Sequence, residues 1–470
     1  MFYNNKLQSN RERNWFKIDW ILYNSKLNFK INTKDNISIN LFTLDANRFS
    51  LGYRSARVDQ ADPLNERDLI KGFFNNYGVE SRYLNYYKFL NKKSVLLSGF
   101  KYYVANNISE QGPGSADDDA NFNFALNDYQ YYPNQSSYNY PNFNRAFFIE
   151  NILYLDSNLS ITPGCRYEYI DTKSDGYYRA VYLNLVDQPL YDTIIYSSSK
   201  KTRDFFLFGV GLSYKNKSNH EIYSNISQNY RSVTFADITI TSPTFLIDPN
   251  ITDESGYSYD IGIRGIYQSW ISFDVNYFGL SYNNRIGFLQ KKVEFMPGIF
   301  AAKTQKCNVG DAFINGIEGL VDINLKNILR DLNLASFINY AYTKSQYIQS
   351  ESRFIIGNNV EFVPEHNFKC GLDLSYKKFM AGIQLTYLSN QYTDASNAID
   401  SDISGTLGLI PSYYILDFSS SFHFKRTKIF CGINNILNNY YFTRRTTGYP
   451  GPGIIPSQPR NYYLTIELNY

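Results

Sequence analysis

Long apolar runs are missing from this sequence. No stretch approaches the roughly 20 residues that a membrane-crossing helix needs, and mean hydropathy is −0.38. That excludes a helical inner-membrane protein. Strands escape the limit, because only alternate residues of a barrel strand meet lipid. Histidine is nearly absent: His220, His366 and His423 stand alone. There is no HExxH, GxSxG, GxGxxG or Walker loop to organise them. No enzymatic activity is expected. Cys165, Cys307, Cys370 and Cys431 are far apart and form no CxxC pair, so neither a metal site nor a cofactor is expected. Cys370 reads as a small hydrophobe on a lipid-facing strand. Net charge is only +3, which gives no footprint for nucleic acid. The first residues, Met-Phe-Tyr-Asn-Asn-Lys-Leu-Gln, show no apolar core and no small-residue cleavage site, so no signal peptide is read there.

What the chain does have is aromatic residues in strand register. It holds 44 Tyr and 35 Phe. A tyrosine ring with a polar tip suits a membrane–water boundary. The last ten residues alternate without a fault. Tyr462, Leu464, Ile466, Leu468 and Tyr470 fall on one face, and Tyr463, Thr465, Glu467 and Asn469 on the other. This is the ending expected of an outer-membrane barrel, with the first set facing lipid. An aromatic-rich soluble β-protein that binds glycans would share the composition and remains open on these grounds.

The alternating segments come in pairs around short polar turns. Thr33–Asn36, Asn91–Lys93, Asp156–Asn158, Lys215–Lys217, Gln268–Ser269, Tyr376–Lys378 and Lys425–Thr427 are such turns. The segment from Ile429 to Ile436 alternates less cleanly, which suggests a bulge. Long polar connections separate the pairs, from about Asn106 to Asn144, Asp171 to Arg203 and Asn283 to Asp311. Short turns on one side and long loops on the other define an all-β, antiparallel transmembrane barrel with periplasmic turns and extracellular loops. The count is roughly 17 strands. If the last strand ends in the periplasm, the first, near Trp15, runs inwards. A barrel with an even number of strands then lacks an odd number of earlier ones, about five of a parent of about 22. An open seam between the two ends is expected. The acidic run Asp117–Asp119 reads as solvated loop charge.

Arginines are the candidate ligand contacts. Arg231 follows Asn229-Tyr230 at an outer strand end. Arg444 and Arg445 lie where the penultimate strand enters its loop, and Arg54 and Arg57 at another loop base. A guanidinium at the mouth of a lumen suits an anionic ligand through forked hydrogen bonds. Loop arginines facing water or lipopolysaccharide phosphate are an equally open reading.

Several segments resemble TonB-dependent outer-membrane receptors, in the branch similar to ferric dicitrate receptors. The most specific runs from Asn434-Asn435-Ile436-Leu437-Asn438-Asn439-Tyr440-Tyr441-Phe442-Thr443-Arg444-Arg445 into Thr447-Gly448-Tyr449-Pro450-Gly451-Pro452-Gly453-Ile454-Ile455-Pro456. Asn438 replaces the phenylalanine usual in that family. Weaker matches are Arg13-Asn14-Trp15-Phe16, Asn229-Tyr230-Arg231-Ser232-Val233, Gly310-Asp311-Ala312, Asn315-Gly316-Ile317-Glu318-Gly319 and Val363-Pro364-Glu365-His366. The resemblance implies uptake of a ferric chelate across the outer membrane of a Gram-negative bacterium, through a barrel filled by a plug and energised by TonB–ExbB–ExbD. Outer-membrane lipid and lipopolysaccharide would surround it. Residues 1–470 are expected to be the C-terminal part of the barrel, with plug and signal peptide absent. A passive pore or an adhesin-like barrel is the alternative.

Overall fold

The computed structural model describes residues 11–55, 57–184, 186, 188–234, 246–296, 299–329, 331–446 and 452–468, with side chains left out at 293–303 and 326–330. In chain order the strands are β1 (Trp15–Lys30), β2 (Asp35–Gly52), β3 (Arg67–Phe89), β4 (Lys92–Gly114), β5 (Ser136–Tyr154), β6 (Leu159–Leu183), β7 (Pro189–Lys215), β8 (Glu221–Arg231) and β9 (Leu246–Ile247). They continue as β10 (Glu254–Tyr267), β11 (Ile271–Met296), β12 (Ile299–Leu329), β13 (Leu332–Gln349), β14 (His366–Tyr376), β15 (Phe379–Leu388), β16 (Tyr413–Phe424) and β17 (Thr427–Asn434). The last are β18 (Phe442–Thr446), β19 (Gly453–Pro456) and β20 (Asn461–Leu468). One 18-stranded sheet holds all but β18 and β19, which pair with each other. Leaving aside the short parallel β9, it is a single antiparallel meander in which β8 is followed by β10 and β17 by β20. The architecture agrees with the all-β barrel expected from the sequence.

The short turns arise where the sequence places them. Phe89 faces Lys92 across a two-residue turn, and Leu90 and Asn91 take φ of 50° and 59°. Positive φ at both central residues is the twist that matches two strands. Elsewhere an Asx side chain closes the turn. Asn32 Oδ1 accepts from the amides of Lys34 and Asp35, and Asp156 Oδ1 from those of Asn158 and Leu159.

Strand register sorts the side chains into two faces. One is apolar: Phe147, Tyr167 and Phe206 form a row across β5, β6 and β7. Cys165 lies between Ile149 and Phe208, Cys370 between Ile338 and Leu385, and Cys431 beside Leu464. Cys165 and Cys370 occupy hydrophobic positions, Cys431 also meets Ser420 Oγ at 3.1 Å, and all four cysteines are free. The other face is polar and ion-paired. Arg264 meets Glu221 at 3.0 Å, Tyr223 donates to Asp274 at 2.6 Å and Lys428 meets Glu467 at 3.6 Å. In β20, Tyr462, Leu464, Ile466 and Leu468 are 68, 67, 59 and 59% exposed on the apolar side. Tyr470 lies outside the described residues.

Two expectations are corrected. The connections read at 171–203 and 283–311 are mostly strand. β6 runs on to Leu183 and β7 starts at Pro189, while β11 runs on to Met296 and β12 starts at Ile299. Beyond the bilayer the outward positions no longer have to be apolar, so the hydropathy signal stops while the backbone ladder continues. The bulge suggested near Ile429 is absent too. β17 pairs in unbroken register on both sides until Asn434, and Asn435 then leaves the sheet with φ 52°.

Among the described residues β1 pairs only with β2, and β20 only with β17. Every residue of β1 is exposed. Because the meander has an odd number of strands, its two edges run in the same direction. They can join directly only in parallel, and an antiparallel closure needs an odd number of strands between them.

The face assignment in β20 is testable. Ile466→Arg should cost about 2–4 kcal/mol if the residue sits near the bilayer midplane, whereas Thr465→Arg, on the polar face, should cost far less. Folding titrations into lipid vesicles compare the two. Equal losses would mean that the faces are misassigned.

Candidate ligand mouth

The strands change character at their outer ends. In the inner half of β1, Tyr23, Leu27 and Phe29 alternate with Asn24, Lys26 and Asn28; farther out, Phe16, Ile18 and Trp20 take the polar set's side and Lys17 and Asp19 the other. β11 does the same, since Asp274 and Asn276 are followed on their own face by Phe278, Leu280 and Tyr282. Outside the membrane, water lies beyond the wall and apolar side chains turn inwards.

On β11–β13 the chain covers that inward surface with its own loops. The β13–β14 loop (350–365) and the β15–β16 loop (389–412) bring Ile355, Val360 and Ala395 onto Leu289, Val309, Ile314 and Tyr347. Backbone bonds fix the docking: the Phe362 amide donates to Tyr392 O at 2.9 Å and the Tyr347 amide to Asn358 O at 2.9 Å. Inside this core Glu361 is 3% exposed. Tyr347 Oη donates to its Oε2 at 2.7 Å, and Arg285 Nε lies 4.0 Å from the same oxygen. Glu361 Oε1 and Arg285 Nε have no hydrogen-bond partner. Burial pushes the Glu361 carboxyl above its usual range, against the opposing pull of Arg285. The sequence signal for this buried acid is a single charge within the apolar run Val360-Glu361-Phe362-Val363, which alone does not tell a buried carboxyl from an exposed one.

Ion pairs bolt down the other loops. Arg13 Nε donates to Asp62 at 2.9 Å, and Arg54 meets Asp68 at 2.8 Å. Arg67 has no exposed surface and donates to Ser115 O at 3.0 Å and Asp119 O at 2.6 Å. Arg203 Nη2 donates to Asp253 at 2.8 Å. Arg57 pairs with its neighbour Asp59 at 2.7 Å in solvent.

The candidate arginines sit in different settings. Arg231 ends β8 and meets the buried Glu254 at 2.8 Å, with 45% of its side chain exposed. Glu254 also accepts the Ile286 amide at 2.7 Å. Arg444, on β18, is exposed. Arg445 is half-buried over the Phe442 ring and donates to Gly405 O at 3.1 Å and Leu409 O at 3.2 Å. Arg444 and Arg445 thus share a loop, and Arg231 belongs to another part of the rim. The histidines take structural places. His366 Nδ1 is 2.8 Å from Tyr340 Oη, and His220 stands 5.9 Å from the Phe273 ring. Among the described residues no group of three or more His, Cys, Asp or Glu gathers as a metal site.

A long antiparallel meander, apolar outside, ion-paired inside and crowned by packed loops, is the wall of a large membrane-type β-barrel. Its family is specific: residues 2–436 match the model of the TonB dependent receptor-like β-barrel, and the chain belongs to that family. The family is one of outer-membrane receptors of Gram-negative bacteria. Solved structures share the fold at low identity. The unliganded ferric citrate transporter FecA superposes with a TM-score of 0.76 at 16% identity, over 99% of this chain and 64% of that one. The ferric yersiniabactin uptake receptor FyuA of Yersinia pestis gives 0.73 at 12%, over 97% and 62%. The siderophore receptor PiuA of Acinetobacter baumannii gives 0.72 at 13%, over 98% and 65%. The chain thus spans just under two-thirds of the length of these proteins. No curated protein matches the sequence.

The buried acid has a pH signature. A carboxyl whose folded pKa is raised binds its proton more tightly in the folded form, so the docked loops lose stability as pH rises above 4.5, the ordinary glutamate value, until the folded pKa is passed. Arg285, Tyr347 and Asp394 are the charged or titratable groups around it. Glu361→Gln should flatten that slope. Thermal unfolding of the two forms from about pH 5 to 8 checks it, and identical slopes would remove Glu361 as the cause.

Proposed function

We propose that this chain forms the wall of an outer-membrane receptor that takes up a ferric chelate of the ferric citrate type, energised through TonB–ExbB–ExbD. Family membership carries the transport class. The likeness to the ferric citrate transporter, over nearly the whole chain, favours the chelate. In this reading residues 1–470 are the C-terminal barrel portion of a longer receptor. The odd strand number and the coverage of under two-thirds of the solved structures support that. Earlier strands would enter between β1 and β20, and a plug would meet the ion-paired inner face. The apolar outer face, including Tyr462, Leu464, Ile466, Leu468 and Tyr470, would lie against outer-membrane lipid and lipopolysaccharide.

A compact anionic chelate needs cationic donors at the mouth. Arg231 and Arg444 have the more exposed guanidiniums, and Arg445 fixes the segment from which Arg444 projects. Each arginine that touches the ligand should contribute on the order of 1.5–3 kcal/mol, as a charge-assisted hydrogen bond. Arg231→Lys is the cleaner test at that position, since it keeps a cation opposite the buried Glu254 and removes only the planar fork.

The experiment restores the plug and earlier strands and measures ferric citrate binding by titration. The restored receptor should bind. Arg231→Lys and Arg444→Ala/Arg445→Ala should each weaken affinity roughly tenfold or more. Unchanged affinity in both would take these residues out of the site, and no binding by the restored receptor would remove citrate as the ligand.

A further inference from the structure

Among the described residues the outer edges of β1 and β20 are unpaired, yet the loops beside them touch. The β2–β3 loop (53–66) belongs to the first edge, and the β15–β16 and β17–β20 loops to the last. The Val58 amide donates to Ile403 O at 3.2 Å. The Val58 side chain lies against Gly405 and Gly453, where any Cβ would collide with its Cγ1. Both glycines are buried and take positive φ, 69° and 111°, so side chains are disfavoured there twice over. They also face each other closely, since a Cβ on Gly405 would come within 3.2 Å of Gly453 Cα.

The two sides of this contact are rigid in themselves. On the socket side, Arg445 donates to Gly405 O and Leu409 O, joining the two loops that carry the glycines. Asp402 holds the turn, its Oδ1 accepting the Leu407 amide at 3.0 Å and its O the Gly405 amide at 3.0 Å. On the tongue side, Ser55 donates to Arg57 O at 2.8 Å, and the base of the loop is anchored by the pairs Arg13–Asp62 and Arg54–Asp68.

We propose that Val58 is the tongue of a releasable latch that ties the two ends of the strand series across the outer mouth, with Gly405 and Gly453 as its socket and Arg445 as the positioning residue that keeps the socket assembled. Among the described residues the contact shows one valine side chain and one backbone hydrogen bond, beside a tongue base held by ion pairs and a socket held by the Arg445 and Asp402 hydrogen bonds. It can part without disturbing the wall. A latch in this place spans the opening that any ligand entering from outside must pass. The inference stands on the loop contacts alone and does not depend on which ligand the receptor takes.

Hydrogen–deuterium exchange on the detergent-solubilised chain tests it. In the wild type, peptides covering Val58 and 403–409 should be protected. In Val58→Asp both should exchange about tenfold faster or more, as expected for a local opening, while peptides from β11–β13 and 353–363 keep their wild-type rates. Rapid exchange at Val58 in the wild type, or no change in the variant, would show that no latch exists. Faster exchange throughout β11–β13, or failure of the variant to fold, would make Val58 part of the wall and overturn the claim that the contact releases by itself. Arg445→Lys separates the socket's role: it should speed exchange at 403–409 and at Val58 together if Arg445 acts through the socket, and leave Val58 protected if it does not.

Discussion

The backbone ladder is the constraint on which the rest of this structure depends. In hydrocarbon an unpaired amide or carbonyl costs several kcal/mol, so a spanning strand has to bond on both sides. That requirement turns the chain into one continuous antiparallel meander. It also fixes which side chains share a face, since the register of each pair places its neighbours. The apolar row Phe147–Tyr167–Phe206 and the polar pairs Arg264–Glu221 and Tyr223–Asp274 are two outcomes of the same ladder. β1 and β20 are where the ladder stops, and their parallel sense means that they cannot complete each other in the pattern used everywhere else.

Above the membrane the solvent on the outer side changes, and the faces follow. Hydrophobic side chains on β11–β13 turn inwards and are covered by loops that would otherwise be free to move. A core of that kind is costly to open. The buried Glu361 within it, with one oxygen bonded to Tyr347 and the other unpartnered, is a weak point in an otherwise apolar contact. Elsewhere the rim relies on arginine. Arg13, Arg54, Arg67 and Arg203 are consumed in holding loops in place; of the candidate arginines, Arg57, Arg231 and Arg444 keep exposed side chains, and Arg57 and Arg231 are each already paired with an acid. Arginine content alone therefore overstates the charge that the mouth can offer a ligand.

Much of the wall was legible in the sequence. Period two in β20, polar turns such as Asp156–Asn158 and Lys425–Thr427, and the abundance of tyrosine pointed to a barrel and to nearly the right number of strands, because local alternation and turn chemistry follow from short stretches of chain. Local pattern and structure part where the environment rather than the local sequence sets the pattern. The outer halves of β6, β7, β11 and β12 lost their alternation on leaving the bilayer and passed for loops. Near Ile429 an imperfect alternation passed for a bulge.

The sequence by itself determined the fold class, the strand series and the sidedness of turns and loops, since each is encoded within a few residues of itself. The tertiary structure alone decided the state of the arginines, the burial of Glu361 and the meeting of Val58 with Gly405 and Gly453. Those partners lie far apart along the chain, 40 residues between Arg445 and Gly405, and only the curvature of the sheet brings their loops together over one mouth. Charge and spacing in a sequence show which groups are present; which of them are already satisfied depends on contacts that no local pattern records.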